Sequence, residues 1–123
     1  MIFPKSVYGV DMNERLEWVA VAEEHDLPAD GRLVVTLSGL SILLLKLDGQ
    51  VYAVGNHCPH LGCSMARGQV EGFLIVCPCH DWTFDIRTGE FIMAREITLP
   101  VYSARIDMQQ IYIKTEKSGV SNG

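Results

Sequence analysis

The sequence predicts an all-β fold, a small set of short antiparallel strands in stacked sheets, and three observations carry that expectation. Short runs of aliphatic, β-branched and aromatic residues recur along the chain. Turn residues separate them at regular spacing. The one candidate helix, Ser64 to Arg67, is too short to be more than a turn.

The strands follow in order. Trp18 to Ala22 opens the series, and Leu33 to Leu37, Ile42 to Leu47 and Val51 to Val54 continue it. Asp48-Gly49 between the last two predicts a tight hairpin, because Gly accepts the positive φ such turns demand. Phe73 to Val76 follows Glu71-Gly72, Thr83 to Ile86 ends at Thr88-Gly89, and Tyr102 to Asp107 precedes Ile111 to Lys114. Phe73, Phe84 and Tyr52 at strand spacing read as core residues. The final "TEKSGVSNG" is polar and aperiodic, so residues 115–123 read as a flexible tail after a single domain spanning 1–114.

Composition narrows the function classes. Of 123 residues 48% are apolar and 20% charged, the balance of a folded globular chain with one core. A net charge of −5 argues against nucleic acid and anionic membrane surfaces, both of which call for surplus Lys and Arg. It suits an acidic carrier or a partner with a basic docking patch. The opening "MIFPKSVYGVDMNE" lacks a basic segment followed by an apolar one, which predicts a cytoplasmic chain. The greasiest run, "LSILLLKLDG", has about half the length a bilayer span needs and carries Lys46, so no membrane anchor is expected.

The chemistry is concentrated in two boxes, "HCPHLGC" at 57–63 and "CPCHDWTF" at 77–84, which hold all four cysteines. Written out, the pattern is Cys58-Pro59-His60, sixteen residues, then Cys77-Pro78-Cys79-His80. Each box brings a thiolate and an imidazole close enough to reach one inorganic centre. Two sulfurs and two nitrogens suit either tetrahedral zinc or a [2Fe–2S] cluster with two Cys on one iron and two His on the other. Two plain disulfides are the remaining reading of four cysteines, one that gives His60 and His80 no part. His57 breaks the C-x-H spacing and reads as an exposed neighbour, and His25, in "EEHDLPADG", as a loop residue.

From Trp18 to Lys114 the chain resembles the Rieske iron–sulfur proteins, on "DGQVYAVGNHCPHLGC", "GQVEGFLIVCPCHDWTFDIRTGE" and "LPVYSARID". The resemblance implies that one [2Fe–2S] cluster is held by Cys58 and Cys77 on the inner iron and by His60 and His80 on the outer, exposed iron. It also implies a disulfide between Cys63 and Cys79, as in the respiratory branch. That branch has hydroxyl residues two and four positions after the second histidine ligand; this chain has Trp82 and Phe84, as soluble ferredoxins of oxygenase systems do. Asp81 stands where Gly commonly follows the histidine, and if the position requires positive φ, Asp is one of few side chains that tolerate it. "FIMAREITLP" falls where the family has a third loop covering the cluster.

The charge arithmetic agrees with an electron-transfer role. An oxidised [2Fe–2S] core carries +2, which two thiolates bring to zero and four would bring to −2. Neutral imidazoles therefore make the added electron easier to accept. The sequence has no nucleophile paired with a base and no phosphate-binding glycine loop, so no turnover is expected from it alone. The functional expectation is a soluble one-electron carrier between a flavin-dependent reductase and a terminal oxygenase or other oxidoreductase. Alternatives are a small subunit of a nitrite-reductase-type complex and a zinc-stabilised interaction module.

Overall fold

The structure, a computed structural model, describes residues 18–59 and 62–114. The expected tail at 115–123 and the expected ligand His60 lie outside the described residues. Among the described residues twelve strands build three antiparallel sheets: β1 (Trp18–Glu23), β2 (Arg32–Leu37), β3 (Leu40–Leu47), β4 (Gln50–Gly55), β5 (Gln69–Glu71), β6 (Leu74–Val76), β7 (Thr83–Asp85), β8 (Glu90–Phe91), β9 (Ala94–Thr98), β10 (Val101–Tyr102), β11 (Ala104–Asp107) and β12 (Gln110–Lys114). Their orders are β1-β12-β11, β10-β4-β3-β2 and β5-β6-β7-β8-β9.

The apolar run of β3 explains the stacking. Four consecutive residues, Ile42 to Leu45, are all fully buried, which requires cover on both faces of the strand. Ile42 and Leu44 pack with Ala53, Ile111 and Ile113 against the three-stranded sheet. Leu43 and Leu45 pack with Val54, Met65, Ile75, Phe84, Ile86 and Phe91 against the five-stranded sheet. The four-stranded sheet is thus the middle layer, and cutting Leu44 back to Ala would cost about 2–5 kcal/mol. At its edge β2 reverts to strict alternation, with Leu33, Val35 and Leu37 turned inward.

Two-residue hairpins set the register. Asp48 (φ 52°) and Gly49 (φ 79°) both adopt positive φ between the paired Leu47 and Gln50, the primed turn that matches strand twist. Ser38-Gly39 does the same between β2 and β3. Three sequence expectations are corrected. Tyr102 to Asp107 is not one strand: β10 pairs with β4 and β11 with β12, so the chain changes sheet at Ser103. Phe73 is not in β6 but in the Gly72-Phe73 turn, half-buried edge-on to Tyr52 (5.8 Å) with the Arg87 guanidinium over its ring (4.5 Å). Much of "FIMAREITLP" is strand β9, turned back from β8 by Ile92-Met93. Ser64 to Arg67 contains only the single 3-10 turn Met65–Arg67.

Candidate metal centre

The two boxes fold as twin loops. In the first, the Cys58 N–H donates to the Cys63 carbonyl (2.9 Å) and the Cys58 carbonyl accepts from Gly62 N–H (2.7 Å). In the second, Cys77 N–H donates to the Trp82 carbonyl (2.7 Å) and the Cys77 carbonyl accepts from Asp81 N–H (3.0 Å). One offset of nineteen residues maps each donor and acceptor of one loop onto the other. Under that offset Asp81 takes the place of Gly62, and both have positive φ, 61° and 77°. The condition under which Asp81 suits the position, a positive φ, is therefore met, and it is the conformation that closes the turn.

Closing both turns fixes where the sulfurs go. Cys58 and Cys77, each at the foot of its loop, are 2% and 1% exposed within one buried cluster. Cys63 and Cys79 are joined in a disulfide between the loops. The Cys63, Cys77 and Cys79 sulfurs lie within 4.8 Å of one another. The disulfide engages two of the four thiols, so the two buried thiols are those a metal centre would use. Pro78, Cys79, His80 and Asp81 are exposed, and so is His57. His80 thus lies at the surface while its loop's thiol is inside, a placement compatible with two-Cys, two-His ligation of a [2Fe–2S] cluster. Cys58, Cys77 and His80, the described members of the set, fit such a cluster.

The aromatic residues after His80 face away from that surface. Phe84 is fully buried. Trp82 stacks flat on Phe91, 4.2 Å between ring centroids and 5° between planes, tying the second loop to β8. Neither side chain carries a hydroxyl. The nearby Thr83 hydroxyl donates to the Asp81 carbonyl (3.3 Å). His25, far from the boxes in sequence, sits in the 3-10 turn Glu24–Asp26 between the carboxylates of Glu23 and Asp26, 3.4 Å from each.

Three residues that support the loops had no signal in the sequence. Asn56, two residues before Cys58, is the one buried polar or charged side chain among the described residues. Arg32 Nη1 donates to the Ala66 (2.8 Å) and Gly68 (2.6 Å) carbonyls, holding the exit of the first loop to β2. At Gly68 a Cβ would overlap the Val76 carbonyl oxygen, so the exit of one loop presses on the entry to the other. Only tertiary contact shows what Asn56 bonds.

The Rieske [2Fe-2S] domain profile matches residues 17–103. The chain belongs to that family. Among characterised relatives, the ferredoxin component of the naphthalene 1,2-dioxygenase system of Pseudomonas aeruginosa is 31% identical over 98 residues, 79% of this chain and 94% of the relative. The ferredoxin component of the alkene monooxygenase system of Xanthobacter autotrophicus is 28% identical over 103 residues, 82% and 84% of the two chains. In fold, the chain matches the ferredoxin of carbazole 1,9a-dioxygenase from Nocardioides aromaticivorans with a TM-score of 0.72, 24% identity and coverage of 80% and 97%. No helix among the described residues is long and apolar enough to cross a membrane.

Proposed function

We propose that this Rieske protein is a one-electron carrier, the ferredoxin component of an oxygenase system, with one [2Fe–2S] cluster held by Cys58, His60, Cys77 and His80. The observation that carries the ligand assignment is the pair of buried thiols at equivalent positions of the twin loops, with the other two cysteines joined to each other. The carrier role is supported by relatives named as ferredoxin components that this chain matches over nearly their whole length. Such a chain is not catalytic alone. When bound, the cluster supplies a site that accepts and releases one electron without an accompanying bond change.

The protein's own residues do the rest. Cys58 and Cys77, buried in the same core as Leu43, Met65 and Ile75, would bring two negative charges to the site. His80, exposed on the second loop, gives the electron a short path to a docked protein. The donor is a flavin-dependent reductase, the acceptor a terminal oxygenase or other oxidoreductase, and the compartment the cytoplasm.

The test is stopped-flow absorbance on the purified, coloured protein. The reduced form should be reoxidised rapidly by a terminal oxygenase of the same cell, and the oxidised form reduced by a flavin-dependent reductase. Transfer only inside a stable larger assembly would favour the nitrite-reductase-type subunit. A colourless protein with stoichiometric zinc would leave the interaction module.

A further inference from the structure

The twin loops are not held equally. The second springs from a regular ladder: Val76 pairs with Thr83 and Ile75 with Phe84, as β6 against β7. The equivalent positions of the first loop are His57 and Ser64, which meet only as an isolated bridge. Beyond them the chain does not continue as a strand paired with β4 but enters the 3-10 turn Met65–Arg67. The first loop therefore lacks the strand pairing that fixes the neck of the second.

Asn56 occupies that gap. Its main-chain carbonyl accepts from Met65 N–H (2.6 Å), the single contact left where a ladder would run. Its side-chain Oδ1 accepts from the Ser64 hydroxyl (3.2 Å) and from Ala66 N–H (3.0 Å), both on the exit of the loop. Its Nδ2 donates to the Ser41 hydroxyl (3.2 Å), and its N–H to the Ser41 carbonyl (3.0 Å), both on β3. At 6% exposure these bonds have little competition from water. One amide thus joins the entry of the loop, its exit and the middle sheet, two residues from Cys58.

We infer that Asn56 is a positioning residue for the first ligand loop, its side chain replacing the missing strand ladder and setting where Cys58 is presented. This rests on the proposed cluster ligation, in which Cys58 and His60 belong to this loop. Partners that orient metal ligands typically change metal retention by about 10–100-fold when removed. The effect should be confined to the first loop, because the neck of the second is secured by β6 and β7.

The experiment compares the full-length parent with Asn56→Leu, Asn56→Asp and Ser64→Ala. An iron–sulfur absorption spectrum in the parent that is lost in Cys58→Ser secures the ligation first, so its failure is distinct from failure of this inference. Iron release to a chelator is then timed in each holoprotein. Cys58 and Cys77 alkylation is timed in each stripped chain by peptide mass spectrometry. Asn56→Leu should release iron about ten-fold faster or more and raise Cys58 alkylation while leaving Cys77 at the parent rate. Asn56→Asp keeps both Oδ1 contacts, and the Ser41 hydroxyl can rotate to donate to its second oxygen. It should therefore remain within a few-fold of the parent in both rates, with a lower reduction potential from the added charge. Ser64→Ala, which folds with one contact fewer, should fall between. Equal acceleration at Cys58 and Cys77, or parent-like release from both Asn56→Leu and Ser64→Ala, would overturn the assignment.

Discussion

Asp81 shows how a single backbone angle selects a side chain. At φ 61° it closes the second loop as Gly62 closes the first, and a β-branched residue there would clash with its own backbone. Asp81→Gly should therefore keep the cluster and the melting temperature close to the parent's. Asp81→Val should cost about 1–3 kcal/mol, read as a lower thermal midpoint. Equal stability of the two variants would mean that the angle is not what the position selects for. The structure supplies the angle here; the sequence only raised positive φ as a condition, since Asp follows the histidine where Gly is common. It could not make Asn56 legible, because a polar residue after a strand normally reads as solvated, and its partners Ser41, Ser64 and Ala66 come together only in the fold. Gly68 was silent for the same reason: its neighbour is the Val76 carbonyl, distant in pattern and close in space.

Among the elements, those with local signals were legible and those made by tertiary pairing were not. Asp48-Gly49 announced the β3–β4 hairpin, and the continuous apolar run of β3 announced a strand. The short β5, β8 and β9 carry too few apolar residues for a period to emerge, and they are strands because each has a neighbour to pair with. Two tests belong at this scale. The Cys63–Cys79 disulfide closes a sixteen-residue separation, worth about 3 kcal/mol to the cluster-free chain and less when a cluster bridges the same loops. Cys63→Ala with Cys79→Ala should retain the cluster but lose it sooner on heating; failure to bind it at all would give these residues a ligand role. The turn after β7 provides the second. Arg87 grips the Asp85 carboxylate at 3.1 and 3.0 Å, and those hydrogen bonds hold the Asp85 pKa below its ordinary 3.8. A depressed carboxyl pKa stabilises the fold above the unfolded value and ceases to do so as pH falls through the folded one. Arg87→Gln should therefore melt below the parent at neutral pH, with the gap closing as pH drops well below 3.8. A gap constant with pH would assign the loss to the Arg87 stacking on Phe73 instead.

The whole molecule divides its labour between layers. The three-stranded and four-stranded sheets share one core, and the five-stranded sheet shares the other with the feet of both loops. Cys58 and Cys77 are thereby set in a packed wall, while His80 remains at the surface. A carrier benefits from both: a rigid, dry interior limits rearrangement when charge changes, and an exposed ligand shortens the path to a partner. The sequence made the class of fold legible, and its paired C-x-H and C-x-x-H boxes are the ground for the proposed ligand types. It did not reveal the nineteen-residue symmetry, which shows itself only in the matching hydrogen bonds of the two loops. Nitrogen electron–nuclear double resonance on the reduced protein reads out the proposed ligand set of two thiolates and two imidazoles. With histidine labelled by nitrogen-15, two strongly coupled ring nitrogens are predicted in the parent and fewer in His80→Ala. A reduced cluster with no strongly coupled histidine nitrogen would contradict the account.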